Sequence, residues 1–197
     1  VDDLRAVPPL LNASPGKQTV YGSEAGIDLH KLDMATFVDA EVGIALDGKI
    51  DEAVWQDIAY FDNMRVSIPD KGTPGTYATK MRMFATEKGM YISADMEQPR
   101  DTLVRRMSRR DDFIDRDVFG VTLDVSGTAK IGYWFFIALG DSQSDGKVLP
   151  ERRYQRDWDG PWIGKSAVTD NGWSIEMFLP WSMMSMPQTA GARNIGF

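Results

Sequence analysis

Asp117-Val118-Phe119-Gly120-Val121-Thr122-Leu123-Asp124-Val125 decides the fold class. Phe119, Val121 and Leu123 alternate with Val118, Gly120 and Thr122, and a period of two sends the two sets to opposite faces of a strand. Next along the chain, residues 131–139 form a nearly continuous aromatic and aliphatic run, as expected for a strand covered on both faces. Upstream, Lys80 and Arg82 alternate with Met81 and Met83, and Glu87-Lys88-Gly89 turns residues 78–85 back into 90–96 as a hairpin. Downstream, Asp170-Asn171-Gly172 separates 162–169 from 172–179, and Asn-Gly is a strong hairpin signal. Strands at roughly ten-residue spacing, with no long amphipathic helix among them, predict an all-β domain. The expected architecture is an antiparallel β-sandwich, jelly-roll-like.

The sandwich is expected over residues 37–197. Residues 1–36 carry Pro8-Pro9, Pro15-Gly16 and scattered charges without a lasting period, so they read as an extended, irregular N-terminal arm. Residues 42–46 read as a short strand ending in an Asp47-Gly48 turn. Asp51 is placed to cap a short helical stretch over 50–55, which sends Trp55 and Ile58 into the core. A second short helix is expected over 102–110. The closing Arg193-Asn194-Ile195-Gly196-Phe197 reads as the middle of a strand, so the domain is expected to be truncated at its C-terminal end and to belong to a larger parent protein.

Composition excludes several functions. Of 197 residues, 22 are Lys or Arg and 29 are Asp or Glu, a net charge of −7, which disfavours nucleic acid as a partner. The absence of cysteine removes disulfides, thiolate metal sites and thiol nucleophiles. A single histidine, His30, removes multi-histidine metal sites and argues against a Ser-His-Asp triad. No haem is expected, because Met81, Met83, Met90 and Met96 sit at strand positions as core filler and His30 lies in the arm. No stretch of 18 apolar residues is present to cross a membrane as a helix.

Three stretches carry candidate chemistry. Asp141-Ser142-Gln143-Ser144-Asp145-Gly146 matches the first half of an EF-hand loop, but position 12 is Arg152 instead of Glu. A looser structural calcium site on Asp141 and Asp145 and a solvated turn are both open. In 109–117, four carboxylates alternate with three guanidiniums. That mixture suits a salt-bridged loop or a polar ligand rim better than an acid–base pair, since a general acid needs a raised pKa. Finally, Arg152-Arg153-Tyr154-Gln155-Arg156-Asp157-Trp158-Asp159-Gly160-Pro161-Trp162 joins flat aromatics to directional polar groups. Sugars present apolar C–H faces and a belt of hydroxyls. Trp158, Trp162 and Tyr154 are therefore candidate platforms, with Arg109, Arg153 and Asp159 as hydrogen-bonding partners. The competing reading is that Trp158 and Trp162 close the end of the core.

Ile44-Ala45-Leu46-Asp47-Gly48-Lys49-Ile50-Asp51-Glu52-Ala53-Val54-Trp55 resembles the opening of family 9 carbohydrate-binding modules. Arg110-Asp111 ahead of 117–124, the aromatic strand ending in Gly140 with Asp145 beyond it, and Gly172-Trp173-Ser174-Ile175-Glu176-Met177-Phe178-Leu179-Pro180 follow in the order the family shows. The resemblance covers about residues 40–197. It implies a β-sandwich that binds sugars, in the best-understood members at chain reducing ends between two tryptophans, with structural calcium nearby. Similar modules also form the periplasmic N-terminal part of bacterial outer-membrane β-barrel proteins. Trp55 and Trp173 match core positions of the motifs, whereas no motif places Trp158 or Trp162. The function expected is that of a noncatalytic carbohydrate-binding module in a larger exported bacterial protein, linked to polysaccharide catabolism. It would be periplasmic or secreted, or associated with the outer membrane. Its partners would be a glycan or oligosaccharide and a C-terminal β-barrel or enzyme domain of the same parent. The alternative is a periplasmic protein-interaction domain of an outer-membrane β-barrel protein.

Overall fold

The alternating segments pair into two stacked sheets in a computed structural model that describes residues 19–22, 28–31, 34–68, 72–188 and 193–197. In chain order the elements are β1 (Thr19–Gly22), β2 (Asp28–Lys31), β3 (Ala35–Phe37), α1 (Asp39–Val42), α2 (Ala53–Gln56), β4 (Thr79–Thr86), β5 (Gly89–Glu97), β6 (Val118–Leu123), β7 (Gly132–Ala138), β8 (Gln143–Leu149), β9 (Arg153–Gln155), β10 (Ile163–Val168) and β11 (Gly172–Pro180). One sheet has the order β10-β11-β5-β4-β3 and the other β6-β7-β8-β9, while β1 and β2 pair only with each other. Every pairing is antiparallel except β3 with β4. The chain is thus an all-β sandwich.

Register shows where the core lies. Met81, Ala94 and Ile175 form one row across β4, β5 and β11, and Met83, Ile92 and Met177 form the next. Phe119, Val121 and Leu123 of β6 and Tyr133, Phe135 and Ile137 of β7 meet these rows from the other sheet in one continuous core. Phe135, Ile137, Ile175, Met177 and Leu179 are fully buried, and each contributes about 1.5–3 kcal/mol by leaving water. The expected alternation in 117–125, the buried 131–139 strand and the hairpin at Asn171-Gly172 are all present.

A second, smaller core covers the outer face of the five-stranded sheet. It consists of Val42, Trp55, Ile58 and Phe84. Gly48 has φ +89° and lies so close to the backbone of Ser166 that no side chain fits there. This contact seats the 44–58 segment on the sheet, and Trp55 and Ile58 are buried as expected.

β1, β2 and the start of β3 fall within residues 1–36 and pair through their backbones; residues 1–18, 23–27 and 32–33 lie outside the described residues. Several local expectations are corrected. Residues 42–46 form no strand: Gly43, at φ +60°, ends α1. The α2 N-cap is Glu52, not Asp51. Residues 102–110 are not a helix beyond a single turn at Arg100–Thr102. Their backbone N–H groups find distant acceptors instead. Val104 N donates to Asp117 Oδ2 at 2.7 Å and Ser108 N to Ser142 Oγ at 2.9 Å. At the other end, Gly196 and Asp124 exchange backbone hydrogen bonds of 2.8 and 3.0 Å.

Candidate functional site

On the outer face of the four-stranded sheet the sequence sets flat rings, with Trp134, 1% exposed, and Phe136 lying beneath the loop that carries Phe113. Gly120 of β6 stands opposite Phe136 of β7, and Trp134 of β7 stands opposite Gly146 of β8. Phe136 lies over Gly120 and Trp134 over Gly146 so closely that a side chain at either glycine would collide with the ring. The Trp134 indole N–H donates to the Gln155 carbonyl at 3.1 Å, which holds the ring flat and ties β9 to the sheet. Phe113, from the loop before β6, meets both rings, with centroids 6.1 Å from Trp134 and 6.4 Å from Phe136. Arg156 stacks on the outer side of Phe113, its guanidinium carbon 3.9 Å from the ring centroid. Tyr154, 60% exposed, stands on the same face, because it pairs with Val148 and Val148 with Gly132. A shallow depression beside Phe113 is lined by Phe113, Ile114, Arg116, Val118 and Phe136.

The expected site residues divide between the two sides of β9. Tyr154 faces outward, whereas alternation sends Arg153 to the opposite side, in register with Leu149. Trp158 lies on that inner side, half-buried against Tyr133 at 4.9 Å and Phe135 at 6.0 Å, with Lys147 Nζ 5.7 Å from its ring. Trp162 is 4% exposed and packs edge-on to Phe135, so it offers no face to a ligand in this arrangement. Trp158 and Trp162 are therefore not a pair of open platforms. Arg109 and Arg153 are exposed, and Asp159 is an exposed partner of Arg110 at 3.5 Å. Phe113 and Arg156 were not singled out from sequence, although the glycines facing aromatics in neighbouring strands were the available signal.

Asp141 and Asp145 are not brought together. The chain turns sharply at Gly140-Asp141, both at positive φ, and β8 begins at Gln143, so Asp145 is a strand residue and not part of a loop. Asp141 bonds the Ser166 N–H and hydroxyl at 2.7 and 2.8 Å and Lys165 at 3.2 Å. Burial pushes its carboxyl up, but Ser166 and Lys165 outweigh this and hold it below the ordinary value. Asp145 is fully buried; Arg110 grips one oxygen at 2.6 and 3.0 Å, and Gly160 N–H bonds the other at 2.6 Å. Burial nevertheless leaves its carboxyl raised, against Gly160 and Arg110. The Trp162 indole N–H, nearby, completes no hydrogen bond to it.

Oxygens of Asp111, Asp145 and Asp159 lie within 4.8 Å of one another. Calcium takes six to eight oxygens, but here Arg110 and N–H donors already occupy the Asp145 carboxylate, and Asp111 accepts the Asp145 N–H at 3.1 Å. The group does not fit a calcium ion. Excess chelator is therefore expected to leave the melting temperature unchanged. An ion held at a hundredfold excess over Kd would stabilise by about 2.7 kcal/mol, so a fall of about 5–10 °C on chelation would reveal one.

No family model matches the chain, and no curated protein matches it. Solved structures do. A family 9 carbohydrate-binding module from Caldicellulosiruptor kristjanssonii in complex with cellotriose superimposes with a TM-score of 0.55 at 11% identity, covering 76% of this chain and 67% of that one. The fold is that of family 9 carbohydrate-binding modules. The glucose complex of such a module from the same organism gives 0.52 at 11% identity over 82% and 73% of the two chains. A candidate carbohydrate-binding protein from Bacteroides uniformis gives 0.56 at 14% identity over 82% and 77%.

Proposed function

We propose that the chain is a noncatalytic carbohydrate-binding domain whose ligand lies along the outer face of the four-stranded sheet, on Tyr154 and the Phe113–Arg156 stack. The observation that carries the reading is the exposed Tyr154 ring on the same face as the exposed Phe113–Arg156 stack. A pyranose needs such a ring for its C–H face and polar groups at its edge for its hydroxyls. The cellotriose and glucose complexes of the structural neighbours support it. Catalysis has little to work with, since the raised carboxyl of Asp145 is fully buried with both oxygens bonded. The wider setting, an exported bacterial parent protein engaged with polysaccharide, rests on the sequence resemblance alone.

Affinity electrophoresis through a panel of soluble polysaccharides tests this. The wild-type chain is expected to be retarded in at least one gel. Tyr154→Ala is expected to weaken that binding about 5- to 12-fold, the equivalent of roughly 1–1.5 kcal/mol of lost ring contact, with an unchanged melting temperature. No retardation in any polysaccharide would end the reading and favour the protein-interaction alternative, for which the exposed Ile114 and Val118 flanking the depression are the natural contacts.

A further inference from the structure

We infer that the sugar this face selects is acidic, with Arg156 reading the carboxylate of a hexuronate unit stacked on Tyr154; the inference rests on the carbohydrate-binding reading and specifies its ligand class. Arg156 is exposed, and among the described residues it makes no ion pair and no hydrogen bond through its side chain. Neither Asp112 nor Asp157, the carboxylates nearest to Phe113 and Arg156 in the chain, forms a salt bridge with it. Arg110 and Arg116 differ. Arg110 is bound to Asp145 and the Gly160 carbonyl, and Arg116 to the carbonyls of Arg106 and Asp112. Those two build the loop, whereas Arg156 is held without being used.

What holds it is Phe113. A guanidinium packed on a ring at 3.9 Å has given up part of its rotamer freedom, yet its N–H edge stays open. Such a group can accept a carboxylate with two parallel bonds at small further entropic cost. Tyr154 lies two residues before Arg156, and two residues of extended chain span about 6.6 Å, close to the width of a pyranose. Tyr154 and the Arg156 guanidinium thus share the outer face at a separation one sugar unit can bridge, so a ring stacked on Tyr154 with its C5 substituent turned along the chain meets Arg156. A neutral hydroxymethyl group offers that guanidinium a single weak bond. A uronate carboxylate offers a charged pair, and bonds between charged groups are roughly twice as strong. The chain's net charge of −7 opposes an acidic polymer at long range, but at physiological salt charges more than about 8 Å away are largely screened. Local geometry therefore governs the choice.

The test compares polygalacturonate, alginate and glucuronan with their carboxyl-reduced products, which keep the rings and lose the charge. With the wild-type chain, at least one acidic polymer is expected to bind tenfold or more tightly than its reduced form. Arg156→Gln is expected to erase that difference. Equal binding of every acidic and reduced pair would overturn the inference; neutral glycans retarding the chain would then show that the carbohydrate reading itself survives. Failure of every glycan, neutral or acidic, would remove both. An acidic preference that persists in Arg156→Gln would overturn the role given to Arg156.

Discussion

Trp162→Ala is expected to cost about 3–5 kcal/mol of folding free energy, as for other buried tryptophans. The ring is 4% exposed, packs edge-on against Phe135 at 5.7 Å and covers Gly164, where a side chain would meet it at 2.7 Å. Removing it opens a cavity beside the buried Asp145 carboxylate, which Arg110 grips from the surface, and lets water reach that carboxylate. With a urea slope of about 2 kcal/mol per molar, the midpoint should fall by about 2 M. Trp55→Ala and Trp173→Ala, at 1% and 3% exposure, supply the comparison. Trp158→Ala should fall between these and Tyr154→Ala, since its ring is half-buried on Tyr133. A Trp162→Ala midpoint within 0.3 M of wild type would show that the ring is not core and would restore it as a platform.

The strands were legible because burial on one face writes a period of two into the residues, as in Phe119, Val121 and Leu123. The outer-face aromatics were half legible. Trp134 and Phe136 stood out within a run that had to be covered on both sides, but sequence does not say that part of the cover is Phe113. Residues 103–117 escaped because their partners are far away in the chain: Asp117 serves Val104, and Ser142 serves Ser108. Without those acceptors in view, a polar, Arg-rich stretch looks helical. Asp145 was misplaced for the same reason. Its sequence neighbours are turn formers, yet its pairing with Phe135 makes it a strand residue facing inward. The split of Tyr154 from Trp158 was not legible, because a period of two puts residues four apart on one face and β9 ends at Gln155, before Trp158 turns inward onto Tyr133.

Stability should fall as pH rises from about 5 to about 7, and Glu176 should be the cause. This side chain is fully buried on the outer face of the five-stranded sheet, beneath the 44–58 segment. Its carboxylate accepts the Trp55 indole N–H at 2.9 Å and the N–H groups of Gly48 and Asp47 at 3.0 and 3.1 Å. Ser174 adds a bond to the Gly48 carbonyl at 2.6 Å, so the two sequence motifs, some 120 residues apart, are fastened at one point. Burial is the largest influence on Glu176 and pushes its carboxyl up to about 7, reinforced by the Glu52 carboxylate and opposed by the Trp55, Gly48 and Asp47 donors. Glu52 keeps one oxygen buried without a partner, which leaves its charge uncompensated near Glu176. Across the sheet, Ser93 and Lys165 stand in register with it. An unfolded glutamate ionises near 4.5, so between about 4.5 and 7 the folded chain holds a proton that the unfolded chain has released. Raising the pH through that window therefore favours unfolding, and above it the effect is complete. Asp39, Asp124 and Asp141, all held low, act in the opposite sense only at more acidic pH, while Asp145, held high by burial, adds to the fall in the same sense as Glu176. Glu176→Gln removes the titrating proton but keeps only one carbonyl acceptor, so its NH2 opposes the donors of the other oxygen; its urea midpoint should be lower than wild type at pH 5 and fall much less from pH 5 to 8. Glu176→Ala strands two buried donors, the Trp55 indole and Gly48 N–H groups, at a cost of about 1–3 kcal/mol each, and should lower the midpoint further than Glu176→Gln. A wild-type midpoint that is flat or rising over this range, or a fall that persists undiminished in Glu176→Gln, would remove Glu176 as the main titrating group.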